Sequence, residues 1–436
     1  MAPRHLATPL LALGLTAAPP ATGLLAQARP ITLDEALRRA EQVDPLVRQA
    51  EGNVRNSSAG VRAAYGGYLP TFATSANLSN SFSSGASFVH PVTGEVISGD
   101  RSTTGVSFGA QASYDLFTGF RRGKDIASAR AQRTSAEAAL DYERAQNRLR
   151  TTRTFVDAIQ SASLVQVRRE SIRRAEEQFR IAVAKLATRS VNVDDSLQAA
   201  VNVAQAQLQL LSDEQQLEAN EAALGRAVGE VGRVSAQADS ELTRLASIPD
   251  TAALIAEAQA QAPEVLRTEA AERAARANLG AVKAQYFPNL NLSATTQLAG
   301  SRTDSLFGSR SVGLGLSWQV FNRFQRELQV ARSRSDVATA ETQTTDTKRR
   351  VAAEMIGRLA ALRAAEARYR IARANVETLR ALVRVKLERY RIGSIDADLL
   401  SRSQEQLNTA ESDAVRAQFD YVVRKAEIEA VVGRGL

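Results

Sequence analysis

The feature that most restricts this chain is where proline and glycine do not occur. Of its 11 prolines none lies between Pro91 and Pro249 and none follows Pro288, and glycine is absent from Lys124 through Leu224. In a helix interior proline costs about 3 kcal/mol and glycine about 1 kcal/mol relative to alanine. Two long tracts without breakers are therefore expected to be long helices. Their apolar residues agree. Leu362, Ala365, Tyr369, Ala372, Val376, Leu379 and Val383 recur at alternating steps of three and four, with Tyr390 one heptad on. Val165, Ile172, Phe179 and Leu186 are spaced by seven. These are coiled-coil patterns. Roughly 65 residues at 1.5 Å each make a rod on the order of 100 Å, which a globular enzyme has no use for.

Each long helix is followed by a short break, Thr188 to Asp195 and Gly393 to Asp398, and then by a second heptad-bearing helix. The returning seams are Leu197, Val201, Ala204, Leu208 and Leu211, then Leu407, Ala410, Ala414, Ala417 and Tyr421. Two helical hairpins are expected, over about 121–228 and 324–432.

Between the helices the period changes to two. Phe72, Thr74, Ala76, Leu78 and Phe82 alternate with small polar residues, as do Val106, Phe108, Ala110, Ala112, Tyr114 and Leu116. Leu290, Leu292, Ala294 and Leu298 do the same, and so do Val312, Leu314, Leu316, Trp318 and Val320. The expected strands run over about 69–84, 103–119, 288–302 and 310–323. A face of apolar residues opposite a face of small polar ones suits a transmembrane barrel strand, with lipid outside and water inside. A half-buried antiparallel sheet shows the same alternation, so the combination of four such strands with an export signal carries the reading.

The chain also repeats itself. Tyr68-Leu69-Pro70 answers Tyr286-Phe287-Pro288 at an offset of 218, and Tyr114-Asp115-Leu116-Phe117 answers Trp318-Gln319-Val320-Phe321 at 204. The difference lies in the loop over 84–101, longer than its counterpart. Residues 29–230 and 231–436 thus form two structural repeats, each helix, strand, strand, long helix, helix. Two repeats supply four strands, whereas single-chain transmembrane barrels begin at about eight, and an open sheet edge in lipid is forbidden. The chain must close its barrel with copies of itself. Two copies would give a barrel whose interior side chains nearly fill; three give a lumen.

The N-terminus has the layout of a cleaved secretory signal over 1–28: Arg4 and His5, an apolar run from Leu6 to Leu15, and small residues around Ala26-Gln27-Ala28. With no cysteine there is no disulfide, no thiol chemistry and no lipid-anchor cysteine. The net charge of +8 invites a nucleic-acid partner. Against it, Arg144, Arg148, Arg168, Arg169, Arg173 and Arg174 interleave with Glu143, Glu170, Glu176 and Glu177, as on a solvated helical face. Two histidines, no cysteine and no phosphate-binding or dinucleotide fingerprint leave no catalytic constellation, no cofactor and no resident metal to expect.

In their order and duplicated spacing, Ile31-Thr32-Leu33-Asp34-Glu35-Ala36-Leu37, Tyr68-Leu69-Pro70, Tyr114-Asp115-Leu116-Phe117-Thr118-Gly119, Tyr390-Arg391-Ile392-Gly393 and Ala417-Gln418-Phe419-Asp420-Tyr421 resemble the TolC-like outer membrane efflux protein family over the whole mature chain. The resemblance implies an α+β membrane protein. Its homotrimer forms a twelve-stranded β-barrel in the outer membrane, continuous with a periplasmic α-helical coiled-coil barrel. It also implies a passive exit duct of a tripartite efflux or type I secretion system, with a periplasmic adaptor docked at the hairpin tips and an inner-membrane transporter supplying the energy. The other class compatible with long coiled coils is a periplasmic adaptor or a surface-exposed structural or interaction protein.

The family narrows its duct where the hairpin tips converge. The acids available there are Asp194, Asp195, Asp396 and Asp398, which would form threefold rings favouring cations or cap helix starts. Leu399 and Arg402 stand where the family places ring aspartates. Tyr390 matches a tyrosine that links hairpins in the closed tip, and Arg391 (or Arg389) would replace the arginine absent after Gly393. Tyr114, Phe117, Trp318 and Phe321 are expected as aromatic anchors at the membrane interface.

Overall fold

The computed structural model describes residues 29–85, 87–97, 101–188, 192–237, 250–301 and 305–435. The signal segment expected over 1–28 lies outside the described residues. Two helices of 67 residues dominate, α3 (Arg121–Ala187) and α7 (Gln325–Arg391), and the returning helices are α4 (Val193–Ala227) and α8 (Ala397–Val432). Ahead of each strand pair, where a single helix was expected, the chain forms two: α1 (Leu33–Val43) with α2 (Pro45–Gly66), and α5 (Thr251–Gln261) with α6 (Pro263–Lys283). The prolines make the division. Asp44 takes an extended conformation as N-cap and accepts hydrogen bonds from the Leu46 and Val47 N–H groups, with Pro45 at the first helical position. Ala262 and Pro263 repeat the break. Two three-residue strands, β1 (Arg29–Ile31) and β6 (Val234–Ala236), pair in parallel, a feature the sequence reading missed.

The main sheet is antiparallel, in the order β2 (Thr71–Ser83), β5 (Arg101–Phe117), β7 (Asn289–Gly300), β8 (Phe307–Ser317). β8 ends before the expected boundary, so Trp318 and Phe321 follow the strand instead of lying in it. The long loop carries a small hairpin, β3 (Phe88–Val89) with β4 (Val96–Ile97). β2 and β8 are the sheet's edges and are exposed along their whole length. Phe72, Leu78, Phe82, Val312, Leu314 and Leu316 are exposed apolar side chains on those edges. Among the described residues no helix is long and apolar enough to cross a membrane.

The two long helices organise the helical packing. α2 and α4 pack on α3, α3 on α6 and α8, and both of these on α7. The largest core lies midway along the long helices, where Phe155, Ile159, Met355, Leu359, Phe419 and Ile428 meet Ile31 and Val234 of the small parallel pair. Each side chain fully buried there contributes about 1.5–3 kcal/mol. The α8 seam expected from the sequence is mostly buried, as are Leu362, Ala365, Val376, Val383 and Tyr390 of α7. The α4 seam is not. Leu197, Val201, Leu208 and Leu211 are exposed, and the buried residues of α4 are Ser196, Ala199, Glu221, Leu224 and Gly225 instead. The heptad was real, but it faces away from the hairpin partner.

Candidate functional site

Two regions carry the residues singled out from the sequence, and they lie at opposite ends of the long helices. At the tip, α7 ends in a left-handed glycine, Gly393 (φ 78°), where the Gly393 and Ser394 N–H groups bond back to Tyr390 and Arg389 carbonyls at 3.1 and 2.9 Å. Asp396 is the N-cap of α8 and accepts the Leu399 N–H at 2.9 Å. Asp398 pairs with Arg402 at 2.8 Å across one helical turn. That hydrogen bond and charge raise the Arg402 pKa. Arg402, at a position where the family places a ring aspartate, thus neutralises Asp398. Asp194 and Asp195 sit in the first turn of α4, behind Asn192 as N-cap, Asp194 exposed and Asp195 half-buried. Both favour the positive end of the helix dipole.

Tyr390 is buried with Ala397, Leu400, Ile181, Leu387 and Ile395. Lys185 lies 4.2 Å from its ring centre and donates to its carbonyl. Among the described residues the hydroxyl has no hydrogen-bond partner. Burial first, and then the charge of Asp195, pushes its pKa up. Within the chain, then, the hairpins are linked through the Lys185 ammonium and through Arg391, which bridges Glu177 of α3 and Glu388 at 2.7 Å. The tyrosine hydroxyl makes no such link. Between α4 and α8, over α3, lies a groove of about 630 Å³ lined by both signs of charge, among them Arg168, Arg174, Asp398, Arg402, Glu405 and Asp413.

At the opposite end each strand hands over to a long helix through left-handed residues: Gly119 and Phe120 in one half, Arg323 and Phe324 in the other (φ 57–62°). The expected aromatic anchors gather here. Phe117 meets Phe120, and Phe321 meets Phe324, edge-to-face at 5.4 Å. The Trp318 indole N–H donates to the Tyr286 carbonyl at 3.2 Å. Tyr114 and Tyr68 flank the Arg122 guanidinium at 5.3 and 5.1 Å.

The sequence reading missed the arginines. Arg122 donates to the Asp115 carbonyl, and Arg326 donates to the Gln319 and Val320 carbonyls at 2.9 and 3.2 Å while lying 4.1 Å from the Tyr286 ring centre. Their spacing of 204, the repeat offset itself, was the available signal. Arg168 and Arg174, expected on a solvated face, instead bridge helices, to Asp213 at 2.9 Å and to Glu411 at 2.7 Å.

Comparison with known proteins fits this geometry. The family described as "Outer membrane efflux protein" matches residues 36–230 and 254–434. The curated relative "Cation efflux system protein CusC" of Escherichia coli (strain K12) is 26% identical over 219 residues, 49% of this chain and 47% of that protein. The match therefore spans about half of the relative's length. The Campylobacter jejuni CmeC outer membrane channel superposes with a TM-score of 0.75 at 16% identity, over 92% of this chain and 85% of its own. The open state of the Neisseria gonorrhoeae MtrE outer membrane channel gives 0.74 at 17%, over 93% and 89%. At these identities the structures speak to the fold.

Proposed function

Because the chain belongs to the outer membrane efflux protein family, we propose that three copies close their four-stranded sheets into a twelve-stranded barrel in the outer membrane and their helices into a duct through the periplasm. The assembly is the passive exit of a tripartite efflux or type I secretion system. One observation carries this reading: both edges of the sheet, β2 and β8, are open and exposed over their full length while presenting apolar side chains. Lipid does not tolerate unpaired strand edges, so an outer-membrane sheet of this kind requires neighbours.

The rest follows from that arrangement. The aromatic clusters at the strand–helix joints mark the periplasmic membrane interface. The hairpin tips, around 186–200 and 390–405, receive the periplasmic adaptor, whose helices fit the groove between α4 and α8. Asp194 and Asp195 are the better ring candidates, since Asp396 caps a helix and Asp398 is paired.

The test is membrane fractionation followed by reconstitution in planar lipid bilayers. A trimer extracted only by detergent and giving stepwise conductance supports the duct. A detergent-independent monomer without conductance would instead favour a periplasmic adaptor or a surface-exposed stalk.

A further inference from the structure

Strand pairing in the main sheet lines residues up in rows that cross all four strands, and alternate rows belong to opposite faces. One row runs Thr74, Ala110, Thr296, Arg310. The next rows on the same face hold Ala294 with Val312 on one side and Phe108 with Leu298 on the other, so this is the apolar face. Among the described strand residues, Arg310 is the one charged residue that the register places there.

Arg310 is exposed, and among the described residues it makes no ion pair and no hydrogen bond. The sheet offers it no counter-charge. β2, β7 and β8 contain no acid. The acid of β5, Asp115, falls on the other face and accepts a hydrogen bond from Asn291 at 3.0 Å. A β2 edge brought alongside β8 would therefore leave the guanidinium as it is.

Its height narrows what it meets. Arg310 lies seven residues from Ser317, where β8 ends, or about 23 Å along the strand at about 3.3 Å per residue. A strand tilted by about 40° climbs about 18 Å over that length, within an apolar band about 25 Å tall. With the periplasmic boundary at Trp318, Arg310 leaves the strand in the outer half of the band. β8 begins only three residues away, at Phe307. An arginine on the lipid face is costly at the bilayer midplane and tolerated near the boundary, so the side chain extends outward to the headgroups.

We propose that Arg310 and Thr296 form a phosphate-binding site for a phosphorylated lipid of the outer leaflet, one site on each copy of the chain. The proposal rests on the barrel reading above. The guanidinium presents a planar fork of N–H donors that fits two phosphate oxygens, and none of them is used within the described chain. Thr296, its paired neighbour on β7, is also exposed and adds a hydroxyl donor beside it. Bound phosphate neutralises the one charge on the apolar face and fixes the height of the barrel in the membrane.

The test titrates the detergent-purified trimer with bis-phosphorylated lipid A, with the same lipid stripped of its phosphates, and with phosphatidylglycerol, counting bound lipids by native mass spectrometry. Lipid A should bind at one site per copy, and Arg310→Gln should weaken it by about ten- to a hundredfold, the loss of a charge-assisted hydrogen bond. Arg310→Lys keeps the charge without the fork and should fall between. Arg323→Gln, at the opposite boundary, should bind as the parent does. Equal binding by the parent and Arg310→Gln, or by lipid with and without phosphate, overturns the proposal. Tighter binding of phosphatidylglycerol than of lipid A overturns the outer-leaflet assignment. Where Arg310→Gln yields no trimer, Arg310→Lys and the phosphate-free lipid decide. A parent chain that gives no detergent-extracted, conducting trimer removes the barrel reading itself, which is a separate failure.

Discussion

Glu411 is the acid on which the lower half of the joint between the two repeats turns. Its side chain, 6% exposed on α8, accepts from Arg174 of α3 at 2.7 Å and from Arg380 of α7 at 3.0 Å, so one carboxylate ties three helices. Breaking a fully buried pair costs about 3–5 kcal/mol, but Arg380 is half exposed and Arg174 keeps a 2.7 Å bond to Asn408. Its more solvated arginine is worth about 1 kcal/mol or less. The expected loss for Glu411→Ala is therefore about 2–3 kcal/mol of local stability. At 1.36 kcal/mol per factor of ten, that is a fall of roughly 30- to 150-fold in amide-exchange protection around residues 403–419. Arg174→Ala in the Glu411→Ala background should add little, since the pair is already broken. Hydrogen exchange read by mass spectrometry on the purified protein measures both. A change of less than about threefold, equivalent to under 1 kcal/mol, would mean that water already screens the carboxylate and that the three-helix tie is geometric only.

At the strand–helix joint, a Cβ on Gly119 would lie 2.2 Å from the Phe287 Cβ, and the residue has φ 61°. Gly119→Ala should cost more than about 2 kcal/mol, seen as lost folded yield on membrane extraction. The reverse change at its counterpart, Arg323→Gly, relieves a left-handed non-glycine residue and should stabilise by about 1 kcal/mol in chemical denaturation. Tyr390→Phe removes a buried hydroxyl without a partner and should be neutral or slightly stabilising; increased conductance would mean that the hydroxyl finds a partner in the trimer. Asp44 is pushed up by burial, but the Val47 and Leu46 N–H groups and Arg150 outweigh this and hold its pKa below the ordinary 3.8. Its contribution, about 0.5–2 kcal/mol for an N-cap, is thus present above pH 3.8 and lost as pH falls through the lowered value. Asp44→Asn should flatten the stability profile below pH 4 relative to the parent, measured by denaturant midpoint.

Backbone periodicity was legible because it depends on local chemistry. A run without proline or glycine and with heptad spacing has few alternatives to a long helix, and α3 and α7 emerged as such. Strand ends were less legible: the aromatics after Ser317 continue the alternation, yet Arg326 takes the Gln319 and Val320 carbonyls that a longer strand would have offered to a neighbour. The orientation of a heptad was not legible at all. Leu197, Val201, Leu208 and Leu211 form as regular a seam as Leu407, Ala410 and Tyr421, and periodicity alone does not say whether the partner is in the same chain. The acids at the tip were ambiguous for a related reason. Asp396 and Asp398 differ by two residues, which sends one to the helix cap and the other around the helix to Arg402.

The joints explain how two such different periods can be spliced without a flexible linker. Entering α3 and α7, the chain passes through left-handed residues, and neither N-cap residue, Phe120 or Phe324, makes a side-chain cap hydrogen bond; at α7 Asn322 accepts the Arg326 N–H instead, at 3.3 Å. In the proposed barrel the strand-end carbonyls, left alone, would face the membrane boundary, where unpaired backbone is costly. Arg122 and Arg326, each in the first turn of its helix, reach back to those carbonyls while lying over Tyr68 and Tyr286, in the short segments that lead from α2 and α6 into the strands. A single side chain thus ties the long helix, the strand end and the segment leading into the strands together. Lysine would keep the charge but lose the planar, forked contacts. Arg326→Lys should therefore loosen the joint by more than the loss of one hydrogen bond, about 1 kcal/mol. In exchange measurements the loosening should be confined to residues 318–330, and a uniform effect along α7 would refute the local role.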